Sequence, residues 1–168
     1  MIAQQIDNFF ELPQVIYNEA KKIKLFKNVD HPEVQNDINK SVWPGERSLE
    51  LEHSNPLLKY FCVKYFTLNK LNIEDKKIHL YVHSRTQSDE KDDFIHTDAC
   101  IYSLIIYISE TNLKSGTKLF CKDNNTITDF KFVQNRLILF DSNYKHSAYG
   151  HHGNDINDSR LTINGFIR

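Results

Sequence analysis

Two short stretches of this sequence carry side chains that bind metals or move protons. In Phe94-Ile95-His96-Thr97-Asp98, a strand would project His96 and Asp98 from one face, an imidazole beside a carboxylate. The second stretch, Asp141-Ser142-Asn143-Tyr144-Lys145-His146, follows the apolar run Leu137-Ile138-Leu139-Phe140. His146 lies 48 residues beyond Asp98, a gap that folded strands close easily. Two imidazoles and one carboxylate are the ligand set of non-haem Fe(II) sites that keep coordination positions open. A His-x-Asp on a half-exposed strand also serves as a plain hydrogen-bonded pair, so the spacing alone decides nothing. Fourteen residues after His146, Arg160-Leu161-Thr162 opens the last apolar run. Arg160 and Thr162 would share a face, and a guanidinium is the group best shaped to hold a carboxylate through two parallel bonds.

Strands must position these groups, and the sequence supplies them after residue 77. Ile78–Ser84, Phe94–Asp98, Ile101–Ser109, Lys118–Lys122, Asp129–Val133, Leu137–Asp141 and Leu161–Ile167 are short runs rich in Ile, Leu, Tyr and Phe. Asp, Asn, Gly and Ser separate them. Such spacing predicts a sandwich or jelly-roll barrel. Ahead of it, residues 1–76 read as mainly helical support. Pro13 opens one helix with Val15, Ile16, Ala20, Ile23 and Phe26 at helical spacing. Ser54-Asn55-Pro56 opens a second, followed by Leu57, Leu58, Phe61, Tyr65, Leu68 and Leu71. The fold class expected is mainly β, an α+β arrangement with N-terminal helices packed on one sheet.

Composition sets the outer limits. At 168 residues the chain makes one domain, 1–168, with little room beyond a barrel and its helices. The net charge of -1 argues against a chain held to nucleic acid by bulk charge. Cys62, Cys100 and Cys121 are an odd, widely spaced set with no CxxC, which suits reduced thiols in the cytoplasm. No apolar run reaches the ~18 residues of a membrane span. The start, MIAQQIDNFFELP, lacks the pattern of a signal peptide.

From about Ile78 to the C-terminus the chain resembles the 2-oxoglutarate/Fe(II)-dependent dioxygenases, in particular the prolyl 4-hydroxylase-like branch. Six phrases carry the resemblance in order: His96-Thr97-Asp98, Ile105-Ile106-Tyr107-Ile108-Ser109, Ser115-Gly116-Thr117-Lys118-Leu119-Phe120, Asn135-Arg136-Leu137-Ile138-Leu139-Phe140, His146-Ser147 and Arg160-Leu161-Thr162. Ser115 replaces one glycine of the family's usual pair in the turn before the strand, and the proline that often follows the Phe is missing.

The resemblance implies a double-stranded β-helix, or jelly roll, in which His96, Asp98 and His146 hold Fe(II). The remaining positions would take the 2-oxo acid group of the co-substrate 2-oxoglutarate, and O2. Arg160 would pair the distal carboxylate of 2-oxoglutarate, with Thr162 and Tyr107 as hydrogen-bond partners, and Tyr81 would line the pocket. The reaction implied hydroxylates a C–H bond of a peptide, prolyl or small-molecule substrate and releases succinate and CO2. His79 and His83 read as structural or exposed, and His151-His152 as solvated. Trp43-Pro44-Gly45-Glu46-Arg47 is a compact turn whose Trp43 and Arg47 are candidate substrate contacts, or a capped loop with a buried Trp. The acidic stretch 86–93 reads as a flap beside His96 that disfavours phosphate-rich substrates. Two other classes are a cupin-like metal-binding protein and a catalytically silent module of the same fold. A cupin has no need of Arg160-Leu161-Thr162, and a silent copy would be expected to lose one of the four site residues.

Overall fold

The computed structural model describes residues 3–35, 43–71, 73, 75–89, 94–121 and 125–168. In chain order the elements begin with β1 (Ala3–Ile6), α1 (Pro13–Lys21), β2 (Leu25–Lys27), α2 (Pro32–Gln35), β3 (Glu46–Ser48), α3 (Leu51–Ser54) and α4 (Pro56–Leu68). Strands then take over: β4 (Ile78–Arg85), β5 (Tyr102–Tyr107), β6 (Asn112–Phe120), β7 (Thr126–Phe132), β8 (Arg136–Asp141), β9 (Lys145–Tyr149) and β10 (Arg160–Ile167). They pair antiparallel into two sheets, β1-β8-β5-β10-β4-β3-β2 and β7-β6-β9. The chain is thus mostly β with few helices. No helix among the described residues is long and apolar enough to cross a membrane.

Side-chain alternation sorts the larger sheet into two faces. Leu80, Val82, Leu104, Ile106, Leu137, Leu161, Ile163 and Ile167 turn outward and pack with Ile16, Tyr17 and Ala20 of α1 and Leu58, Cys62 and Phe66 of α4. On the inner face, register lines residues up in rows across the strands. Tyr107, Thr162, His83 and Arg47 form one row, and Ile138, Ile105, Asn164 and Tyr81 the next. Beneath that face, Ile105, Tyr107, Ile138 and Phe140 pack on Leu119, Phe130 and Phe132 of the smaller sheet.

The helices start where their caps predict. The Asn55 side chain accepts the Leu58 N–H at 3.0 Å, and Pro56 fills the first turn. Their buried faces differ from the expected ones, because Val15, Leu57 and Leu68 are exposed while the stripe Leu58, Cys62, Phe66 is buried. The helix α1 ends at Lys21, before Ile23 and Phe26, because Leu25–Lys27 pairs with β3 instead.

Residues 1–76 carry short strands beside the expected helices. Three short strands from this stretch complete both edges of the large sheet, β1 against β8 and β2-β3 against β4. Two corrections concern the strands near the site. Phe94–Asp98 is not a regular strand: one bridge, His96 with His146, ties it to β9. Ser115-Gly116 lies inside β6, where the register shifts between Asn112 and Gly116, rather than in a turn before a strand. A Cβ at Gly116 would meet the Phe130 carbonyl oxygen at 2.3 Å, so glycine is required there.

Candidate active site

The two stretches singled out by spacing meet between the sheets. The main chains of His96 and His146 exchange hydrogen bonds of 3.1 and 2.8 Å, and Asp98 N donates to Ser142 O at 3.3 Å. Backbone pairing thus sets the distance between the two imidazoles, whose ring centroids are 4.3 Å apart. One ligand atom from each of His96, Asp98 and His146 falls within 4.8 Å of the others. His96 Nε2 lies 3.8 Å from Asp98 Oδ1, and His146 Nε2 lies 3.4 Å from Asp98 Oδ2.

The ring orientation points to a metal. His96 Nδ1 sits 2.8 Å from Phe94 O, and His146 Nδ1 sits 3.3 Å from Tyr144 O. A carbonyl only accepts, so each Nδ1 carries its proton and each Nε2 of a neutral ring turns a lone pair inward. Asp98 brings further lone pairs to the same point and takes a hydrogen bond of 2.5 Å from Ser103 Oγ. Burial pushes the Asp98 carboxyl up, but the closeness of His146 and the hydrogen bond from Ser103 outweigh it and hold it below the usual range. Converging lone pairs around an ionised carboxylate fit a divalent cation such as Fe(II).

A cavity of about 600 Å³ opens above this triad. Arg160, Thr117, Asn164, His83, Tyr81 and Arg47 are among its walls. Arg160 is 2% exposed. Its Nη2 donates to Gly116 O at 3.3 Å and to Thr117 Oγ1 at 3.4 Å, and its guanidinium carbon lies 5.4 Å from the Phe132 ring centroid. Thr117, which sequence reasoning passed over as part of a family phrase, also accepts the Tyr107 hydroxyl at 2.8 Å.

The other candidates are distributed unevenly. Tyr107 and Thr162 are cross-strand neighbours, fully buried, and neither reaches the cavity wall. Tyr107 stacks on Phe132 at 4.4 Å, and burial pushes its hydroxyl up to about 12. Thr162 donates to Asn164 Oδ1 at 2.8 Å. Tyr81 does line the cavity, and burial raises its hydroxyl to about 12. Trp43 is buried with its ring edge-on to His31 at 5.0 Å, and Arg47 belongs to β3 rather than to a loop.

His79 and His83 both make hydrogen bonds and both face the cavity. His79 Nδ1 contacts Glu50 Oε2 at 2.8 Å, and His83 Nε2 contacts Pro44 O at 2.7 Å. His151 and His152 were expected to be solvated, but both are half-buried. The loop folds back, so that the His152 ring packs edge-on against Phe132 at 5.7 Å. Of the acidic stretch, residues 90–93 lie outside the described residues, and Asp89 accepts the Thr86 N–H at 2.7 Å in a local turn.

No family model and no curated protein matches this sequence. Solved structures do match. A prolyl-4-hydroxylase from Pseudomonas putida superposes with a TM-score of 0.63 at 15% identity, covering 99% of this chain and 91% of that one. An oxidoreductase of the 2OG-Fe(II) oxygenase family from Burkholderia pseudomallei gives 0.67 at 11% identity, over 98% and 83% of the two chains. The chain has the fold of the 2-oxoglutarate/Fe(II) oxygenases. HygX from Streptomyces hygroscopicus, solved with nickel, 2-oxoglutarate and hygromycin B bound, shares this oxygenase fold at a TM-score of 0.63 and 9% identity, over 98% and 82%. At such identities the likeness carries the fold alone, and the chemistry rests on the residues above.

Proposed function

We propose that this chain is an Fe(II)- and 2-oxoglutarate-dependent dioxygenase that hydroxylates a C–H bond of its substrate, with release of succinate and CO2. The observation that carries the reading is the convergence of His96 Nε2, Asp98 and His146 Nε2 beside a buried, cavity-facing Arg160. We read the two sheets as the halves of a double-stranded β-helix and residues 1–168 as one domain built on it. We also place it in a reducing, cytoplasmic setting, which an odd, widely spaced set of cysteines suits.

Iron with 2-oxoglutarate and O2 supplies the oxidising power in such enzymes; the protein binds, orients and excludes water. Here His96, Asp98 and His146 would hold the metal, with Ser103 and the Phe94 and Tyr144 carbonyls fixing how each ligand points. Arg160 would pair the distal carboxylate of 2-oxoglutarate. Thr117 Oγ1 already accepts from Tyr107 and Arg160, so its own O–H is left to donate to that carboxylate. In this arrangement Tyr107 supports Thr117, and Thr162 supports Asn164, each from behind the cavity wall. A cupin-like binding protein would have no use for the buried Arg160.

Anaerobic addition of Fe(II) and 2-oxoglutarate should produce a visible metal-to-ligand charge-transfer band, and O2 should then yield succinate. Metal-loaded protein without the band would refute the cofactor assignment. His146→Ala should abolish metal binding, whereas Arg160→Ala should keep the metal and weaken 2-oxoglutarate. Equal loss of both ligands in both variants would contradict these separate roles.

A further inference from the structure

A second guanidinium faces the cavity, and the chemistry above makes no use of it. Arg47 stands on β3 opposite His83 of β4, two strands away from Arg160 on β10, which is about 10 Å of sheet. Its guanidinium carbon lies 3.3 Å from the Trp43 ring centroid and 4.5 Å from that of Tyr81. Its Nε is buried without a hydrogen-bond partner, and it forms no ion pair with a described carboxylate.

Glu33 and Asp98 are near enough to favour its charge, but no acid among the described residues pairs with it. Glu50 bonds Lys59 and His79, Glu33 accepts the Glu50 N–H at 3.0 Å, and Asp98 belongs to the metal triad. Burial draws Arg47 down to about 10, so it remains charged at neutral pH. A charge in this position calls for an anion. Ring contacts use the face of a guanidinium, while its N–H groups lie in the plane, where a flat carboxylate meets them edge-on. Glu33, Glu50 and Asp98 on the same walls would repel a dianion such as a phosphate monoester more strongly than a single carboxylate.

We propose that Arg47 anchors a free carboxylate of the primary substrate, which is therefore a small carboxylic acid, such as a free amino acid, rather than an interior residue of a peptide. The anchor lines the same cavity as the metal site and stands two strands away from Arg160, so substrate and co-substrate each have their own cation. The proposal rests on the dioxygenase reading for what happens to that substrate, but not for its binding.

Trp43 is the sole tryptophan, so its emission reports directly on the Arg47 site. The full chain, loaded with Mn(II) and 2-oxoglutarate to prevent turnover, is titrated with the free L-amino acids and with their carboxamides. At least one acid should change the emission saturably, and its amide should bind at least tenfold more weakly. Arg47→Gln should lose tenfold or more in affinity for that acid, and Arg47→Lys should recover part of it. Circular dichroism checks folding of each variant; should Arg47→Gln unfold, Arg47→Lys and the acid–amide comparison still decide.

Three results would overturn the anchor: equal binding of acids and amides, no response to any acid up to millimolar concentration, or competition by metal-free 2-oxoglutarate for the same signal. The Fe(II) charge-transfer band is read on separate samples. Its absence would sink the dioxygenase reading and leave the Trp43 titration to judge Arg47 independently.

Discussion

At the residue scale, the candidate site works by assigning protons. The Phe94 and Tyr144 carbonyls claim the Nδ1 protons, and Ser103 donates to Asp98. Removing that donor, as in Ser103→Ala, leaves an oxygen of the buried carboxylate free to rotate away. Metal affinity should fall by roughly 10–100-fold, the usual cost of losing a group that orients a ligand. Binding of Mn(II) followed by calorimetry would test this, and wild-type affinity would contradict it. Thr117→Val removes a hydroxyl while keeping the shape, so it should raise the KM for 2-oxoglutarate about tenfold, the cost of one hydrogen bond to a charged group. Metal binding by that variant should be unchanged.

At the element scale, Glu50 ties together pieces distant in sequence. Standing just ahead of α3, it bonds Lys59 on α4 at 2.9 Å and His79 on β4 at 2.8 Å. Burial raises its carboxyl, but the hydrogen bonds and charges of Lys59 and His79 prevail and bring it below the ordinary 4.5. A lowered carboxylate contributes stability that is complete above the unfolded value and fades as pH drops through the folded one. Melting temperature should therefore hold between pH 7 and 5 and decline below about 4.5. Glu50→Gln should cost about 1–2 kcal/mol at neutral pH, with its difference from wild type shrinking in acid. A pH-independent difference would contradict the assignment.

This is also the scale at which sequence reading falters. Ala3–Ile6, Leu25–Lys27 and Glu46–Ser48 are too short for alternation to show, and only their partners make them strands. Lys145–Tyr149 escapes notice because Lys, His, Ser and Ala fill most of it, although its middle is buried against β6. The His-x-Asp pair was legible from side-chain alternation, yet a single bridge, not a ladder, delivers it. Arg47 looked like a loop residue because its strand is three residues long.

At the scale of the whole molecule, the ligands envisaged here bridge the two sheets. His146 comes from β9 of the smaller sheet, while Arg160 comes from β10 of the larger. Bound metal and 2-oxoglutarate should thus raise the unfolding temperature together more than either does alone. At concentrations a hundredfold above Kd, each ligand contributes about 2.7 kcal/mol, a shift of several degrees for a chain this long. Scanning calorimetry with Mn(II) in place of Fe(II) measures this without turnover. EDTA should reverse the metal's part of the gain.

The bridge between His96 and His146 has one more consequence. The two residues that would grip the metal are also the two whose main chains hold segment 94–98 against β9, so cargo and clasp coincide. Losing the ion would loosen the seam at its one bridge to β9, and a protease would then find the chain there first. How long such a protein survives would become a record of whether iron had reached it.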